Sequence, residues 1–157
     1  MKARDIMTKD VLSVDENISV KEAVDIMAKN QIGALIVQTP KPTFGIFTQN
    51  DLLTRVVAEG RDPEKTKIRD VMTESVQCVQ ADDSIEDIAR IMYEENIRYL
   101  PVMEGRKLVG IISVSDLFKV VFRGAEGYQE EVIWPKSQKT YQFLRLAKIV
   151  DSSQRIK

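Results

Sequence analysis

The chain repeats itself. Arg4-Asp5-Ile6-Met7-Thr8 returns as Arg69-Asp70-Val71-Met72-Thr73, at an offset of 65 positions. The same offset then holds without a gap. Ser19 maps to Ser84, Ile26-Met27 to Ile91-Met92, Leu35 to Leu100, Gly45-Ile46 to Gly110-Ile111, and Asp51-Leu52 to Asp116-Leu117. A register this long means one supersecondary unit used twice. The expected division is a first unit over 1–60, a polar linker over 61–68 that contains Pro63, a second unit over 69–125, and an extension over 126–157. Neither unit, at under about 60 residues, buries enough surface to be stable alone. The two are therefore expected to pack as one domain with pseudo-twofold symmetry.

Each unit reads alike. An extended piece comes first, Val11-Leu12-Ser13-Val14 or Val76-Gln77-Cys78-Val79. A helix follows at a cap. Ser19 with Glu22 forms a capping box, and Ser84 with Asp87 is the same device with a shorter acid. Apolar positions such as Val20, Ala23, Val24 and Met27 keep helical spacing, as do Ile85, Ile88, Ala89 and Met92. A hairpin comes next: Ala34–Val37 with Phe44–Phe47, and Tyr99–Val102 with Leu108–Ile112. A second helix is expected from about Asp51 to Ala58, stopped by Gly60, and from about Asp116 to Phe122, stopped near Gly124. The fold class is α/β (α+β), built from two β-β-α-type units.

Composition narrows the function. None of the 157 residues is histidine, and Cys78 is the one cysteine. Histidine-based triads, histidine-ligated metals, an internal disulfide and an all-cysteine zinc site are thereby excluded. Lys plus Arg is 23 against 24 for Asp plus Glu, a net charge of −1, which gives no reason to expect a bulk nucleic-acid binder. No signal peptide or membrane-length apolar run is visible, so a soluble, cytoplasmic protein is expected. Cys78 reads as a small core residue in a strand, and the methionines as packing. The adjacent acids Asp82-Asp83 and Glu94-Glu95 diverge in direction and make a poor acid/base pair. No phosphate loop, dinucleotide fingerprint or serine elbow is present.

The chemistry-bearing motif is Gly-Ile-x-[Thr/Ser]-x-x-Asp after each hairpin. It reads Gly45-Ile46-Phe47-Thr48-Gln49-Asn50-Asp51 and Gly110-Ile111-Ile112-Ser113-Val114-Ser115-Asp116. A helix N-terminus attracts anions, a carboxylate there can accept from sugar hydroxyls, and Thr48 or Ser113 can donate to phosphate. Read from the residues alone, Asn50, Asp51, Ser115 and Asp116 serve equally as helix caps.

The doubled Arg-Asp-[Ile/Val]-Met-Thr start, the Ile97-Arg98-Tyr99-Leu100-Pro101-Val102 strand and the Gly110-to-Leu117 ending closely resemble the CBS domain (cystathionine-β-synthase type). Two in tandem resemble a CBS pair, or Bateman module, over roughly residues 1–125. The resemblance implies a regulatory module rather than an enzyme. It implies adenosine ligands (AMP, ADP, ATP or S-adenosylmethionine) between the units, with no catalytic cofactor and no metal. It implies a homodimer formed through the helices and an unidentified protein effector. The alternative is a ligand-independent dimerisation or scaffold module.

Carried over by motif, the resemblance implies two clefts. One joins Thr48, Asn50 and Asp51 to Thr73, Gln77, Arg98 and Tyr99. The other joins Ser113, Ser115 and Asp116 to Thr8, Leu12, Gly33 and Ala34. Arg98, with its fixed charge, and Tyr99, with its broad face, make the first the better expected seat for a phosphate-rich ligand. Two departures from the family pattern stand in the first unit: Ile36 in place of the proline at 101, and a proline-rich turn with Pro40 and Pro42. The extension carries Lys136, Lys139, Arg145, Lys148, Arg155 and Lys157 among Tyr128, Trp134, Tyr141 and Phe143. A helix packing on the module or across a dimer is expected there, with nucleic-acid binding unlikely.

Overall fold

A computed structural model describes residues 1–124. The first unit supplies α1 (Ala3–Ile6), β1 (Ser13–Asp15), α2 (Val20–Asn30), β2 (Ala34–Gln38), β3 (Phe44–Thr48) and α3 (Gln49–Asp51), which continues as a π-helical stretch, Leu52–Val57. A 3-10 turn at Ile68–Asp70 opens the second unit. It is followed by β4 (Val79–Gln80), α4 (Ile85–Glu94), β5 (Tyr99–Glu104), β6 (Lys107–Ser113) and α5 (Val114–Gly124). Each unit holds a three-stranded sheet, β1-β2-β3 or β4-β5-β6, with a parallel first pair and an antiparallel hairpin. The architecture is the mixed α and β one expected. The extension over 126–157 and the helix expected in it lie outside the described residues.

Local chemistry sets the helix starts. The Ser19 hydroxyl accepts the Glu22 amide and the Glu22 carboxylate accepts the Ser19 amide, so two otherwise unpaired donors are satisfied. α2 then turns Val20, Ala23 and Met27 inward and ends at Gln31 in the left-handed region. At Ser84 the reciprocal half of the box differs. Asp87 accepts the Ser84 hydroxyl at 2.8 Å and the Arg90 guanidinium at 3.2 Å instead of the cap amide. Gly60 takes the positive φ expected of a helix stop, at 65°.

The two repeats exchange their opening segments. Ile68, Val71 and Met72 lie in the first core, with Phe47, Leu35 and Val56. Ala3 lies in the second, with Ile88, Leu100 and Ile112, and Ile6 and Met7 pack against it. Backbone bonds repeat this exchange at both ends of each segment. Thr73 and Ile46 exchange amide–carbonyl bonds of 2.9 Å, and Thr8 and Ile111 do the same at 2.9 and 3.0 Å. Ile68 donates to Ile18, and Ala3 donates to Asp83. Positions paired by the 65-residue offset thus make the same bonds, which is the pseudo-twofold relation in physical form. Each core thus contains a buried piece that the other repeat supplies.

The motif glycines permit the exchange. A Cβ on Gly45 would lie 2.6 Å from the Met72 sulfur, and one on Gly110 would lie 2.6 Å from the Met7 sulfur and 2.9 Å from the Thr8 carbonyl. At Gly110 the Thr8 carbonyl leaves no room for a side chain where the segment crosses the strand, and at Gly45 a side chain would have to displace the Met72 thioether.

The extended pieces start later than the sequence suggests. β1 begins at Ser13, and β4 is two residues long, leaving Cys78 outside it. Proline accounts for the shorter second strand. Ile36 donates its amide to the Leu12 carbonyl at 3.2 Å, but its counterpart Pro101 has no amide to offer Gln77. Cys78 is half-buried, its sulfur 3.6 Å from the Val76 carbonyl, and burial pushes its thiol above the usual range. An unreactive thiol follows from that.

The helix after β3 starts at Gln49, two residues before the expected Asp51, and widens. Ala58 donates to Leu53 and Arg61 to Val56, both five residues back. The Thr54 hydroxyl donates to the Asn50 carbonyl at 2.8 Å, occupying the acceptor that an α-helical amide would use. The counterpart of Thr54 is Lys119, which has no hydroxyl, and α5 stays α-helical.

Candidate functional site

Both motif aspartates are buried at the first helical turn, where β3 runs into α3 and β6 into α5. Asp51 is 5% exposed and Asp116 9%. One carboxylate oxygen of Asp51 accepts the Thr48 amide at 3.0 Å and the Thr48 hydroxyl at 3.2 Å. The other accepts the Thr73 hydroxyl at 3.3 Å and faces the Arg55 Nε at 3.5 Å. Arg55 is fastened at its far end, donating 2.6 Å to the Met72 carbonyl and 3.4 Å to that of Val71.

Asp116 repeats half of this. One oxygen accepts the Ser113 amide and hydroxyl, each at 2.8 Å. The other faces Lys119 Nζ at 3.2 Å. Thr8 lies beside Ile111 as Thr73 lies beside Ile46, but it is exposed, and the Asp116 carboxylate is met by Ser113 and Lys119 instead. The capping role and the candidate binding role therefore coexist at one atom set, because each carboxylate caps its own helix with one oxygen and turns the other outward.

The remaining candidates fall differently from the expected clefts. The start of each hairpin lies beside its own unit's turn. Ala34 pairs with Thr48, and the Gly33 carbonyl accepts the Gln49 amide. Tyr99 pairs with Ser113, and the Arg98 carbonyl accepts the Val114 amide. Arg98 and Tyr99 thus stand with Asp116, not with Asp51. The physical reason is the antiparallel register, which fixes β5 against β6 within a unit. Tyr99 alone crosses over. A Cβ on Gly33 would fall 1.9 Å from its hydroxyl and 3.0 Å from the Gln49 side-chain oxygen. Burial pushes the Tyr99 hydroxyl above its ordinary range, the Arg98 charge opposes this, and the Asp116 charge adds to it.

Leu12 is 41% exposed, and its carbonyl is used by Ile36. Gln77, Asn50, Ser115 and Arg98 are also exposed. Sequence reasoning missed Arg55, Lys119, Gln49, Met7 and Met72. A signal existed for Arg55 and Lys119, which sit four and three residues after an aspartate at a helix start, within reach of it.

A separate cleft of about 1120 Å³ runs along the exchanged segment between the two hairpin tips. Pro40, Lys41 and Phe44 line one side, Arg106 and Leu108 the other, with Met72, Glu74, Val76 and Cys78 between. It passes Gly45 and Met72 but includes neither Asp51 nor Thr73. No cluster of three or more metal-ligating side chains occurs among the described residues. None of their helices is long and apolar enough to cross a membrane. The chemistry available is recognition: hydroxyls, buried carboxylates and cations around two helix starts.

Comparison with known proteins agrees. The family model described as the CBS domain matches twice, over residues 3–58 and 68–123. The CBS domain-containing protein YhcV of Bacillus subtilis is 32% identical over 114 residues, covering 73% of this chain and 81% of its own. A CBS-domain-containing protein of Agrobacterium tumefaciens superimposes with a TM-score of 0.72 at 29% identity, covering 77% of this chain and 99% of that one. A hexameric CBS-CP12 protein from bloom-forming cyanobacteria gives 0.72 at 30% identity, covering 85% and 76%. Two other curated relatives are spanned over only 60% and 52% of their length. The same pair therefore occurs both as most of a chain and as part of a longer one.

Proposed function

The chain belongs to the CBS-domain family as a tandem pair, and on that premise we propose that it is a regulatory module, not an enzyme, that binds an adenosine nucleotide between its units. AMP, ADP, ATP and S-adenosylmethionine are the ligand class, and a protein effector reads the bound state. One observation carries this reading. Each unit presents a buried aspartate whose first oxygen is committed to capping, while the second meets the Thr73 hydroxyl of the other repeat's opening segment at 3.3 Å in the first unit and the exposed Lys119 ammonium at 3.2 Å in the second. Vicinal ribose hydroxyls are the natural donors to such an oxygen, and charge-assisted bonds of that kind are strong. Arg98, exposed beside Ser113, supplies a cation for phosphate. Ligand binding shifts the module only as far as it favours one arrangement of the units over another.

A homodimer through the helices completes the proposal. Leu53 and Val57, each 61% exposed, and Tyr93, 53% exposed, give the helical surface apolar area to cover. A cytoplasmic location suits ligands of this class.

Titration calorimetry with AMP, ADP, ATP, S-adenosylmethionine and NADH tests the function. Micromolar binding of at least one adenosine ligand is expected, weakened at least about tenfold by Asp116→Ala, since a hydrogen bond to a charged group contributes about 1.5–3 kcal/mol. Absence of binding across the set contradicts the sensor reading. Binding that survives both Asp51→Ala and Asp116→Ala contradicts the site.

A further inference from the structure

We propose that Arg55 closes the ribose seat of the first unit from within, so that the wild-type chain takes one nucleotide, at Asp116. This rests on the reading above and deepens it by ranking the two seats. An ionised carboxylate has about four lone-pair positions. At Asp51 three take hydrogen bonds, from the Thr48 amide and hydroxyl and the Thr73 hydroxyl, and the Arg55 guanidinium stands 3.5 Å from the oxygen that Thr73 bonds. At Asp116 three are engaged among the described residues, and the third partner is Lys119.

The two cations are held unequally. The Arg55 guanidinium spans from Asp51 to the Met72 carbonyl at 2.6 Å, so it ties the exchanged segment to the helix. A ribose arriving at Asp51 must break both ends. Among the described residues the Lys119 ammonium bonds Asp116, and its side chain is 68% exposed, against 46% for Arg55. It can swing into water with little loss. A planar guanidinium is also the better latch, because it can serve a carboxylate and a carbonyl at once. The π-helical widening belongs to the latch: it occurs on the stretch that carries Arg55, and the matching stretch of α5 lacks it. The 1120 Å³ cleft beside Met72 and Glu74 does not open onto Asp51. Arg55 is thus a specificity-determining residue that selects which half of the pair is read.

The test is calorimetric stoichiometry on the full chain, with AMP as probe. The wild type is expected to bind one AMP per chain, and Asp116→Asn to remove it. Arg55→Met is expected to raise the count to two, and Asp51→Asn in that background to return it to one. Should Arg55→Met fail to fold, Arg55→Gln gives the same readout, since it retains a donor for the Met72 carbonyl without the charge on Asp51. Two AMP per wild-type chain, or one that persists in Asp116→Asn, overturns the latch while leaving nucleotide binding intact. A count that stays at one in folded Arg55→Met and Arg55→Gln also overturns it. No AMP binding by any folded variant overturns the latch, and the nucleotide reading falls with it only when ADP, ATP and S-adenosylmethionine also fail to bind.

Discussion

The two halves of this molecule share a fold and differ at the atoms that matter. Residues related by the offset of 65 make the same backbone bonds at both ends of the exchanged segments. Yet Asp51 is surrounded by Thr48, Thr73 and a tethered Arg55, whereas Asp116 has Ser113 and an exposed Lys119. The first unit keeps an amide at Ile36 that latches Leu12, and the second has Pro101 there. Duplication therefore fixes the frame, while single side chains make the surroundings of the two aspartates differ. Symmetry of fold is no argument for symmetry of function.

The comparison can be broken first at the core. Phe47 and Ile112 occupy matching positions, and both are fully buried. Phe47→Ala should cost about 3–5 kcal/mol and Ile112→Ala about 2–5 kcal/mol. Because each core holds a piece of the other repeat, both variants should shift one common transition in urea. Two separable transitions, each moved by one variant only, would show that the halves unfold independently.

Next comes the proline difference. Ile36→Pro removes the amide that holds Leu12 and should cost at least about 1 kcal/mol by chemical denaturation, the usual net value of one hydrogen bond. It makes the first unit resemble the second at this position. An unchanged midpoint means that the Ile36–Leu12 bond does not account for the longer β1.

The smallest effect concerns the clasps on the exchanged segments. Lys2 and Arg4 bond Asp82, at 3.0 and 3.1 Å, while in the first unit Arg69 bonds the neutral Asn17 at 3.1 Å. The Lys2 hydrogen bond, chiefly, holds the Asp82 carboxyl below its ordinary range, with Arg4 helping. A depressed carboxyl contributes stability above the unfolded value of about 3.9, and that contribution disappears as pH falls through the folded value. Asp82→Asn should therefore lower neutral stability slightly and flatten the acid limb of stability below about pH 4 by the same small amount. An acid limb of unchanged slope removes Asp82 from the clasp.

Much of this architecture was legible beforehand because it rests on local signals. The offset, the Ser19 box, the hairpins and Gly60 each follow from patterns within a few residues. What stayed hidden depends on contacts between distant segments. The register of β5 on β6 puts Arg98 and Tyr99 with Asp116, although sequence reasoning had joined them to Asp51. The exchange of Met7 and Met72 gave only an indirect sign, as repeated methionines beside glycines where a side chain would meet their sulfur. Arg55 lay in plain view as a helix residue, but its second partner, the Met72 carbonyl, is 17 positions away. Capping and the proposed ligand binding fall on the same aspartate, so no local pattern separates them.

The inequality of the two seats is tested most directly by amide chemical shifts of the isotopically labelled wild type during AMP titration. The amides of Ser113 and Thr8 should move up to one equivalent while those of Thr48 and Thr73 stay in place, and in Arg55→Met all four should move. Movement of Thr48 and Thr73 in the wild type, with or in place of Ser113 and Thr8, would contradict the account.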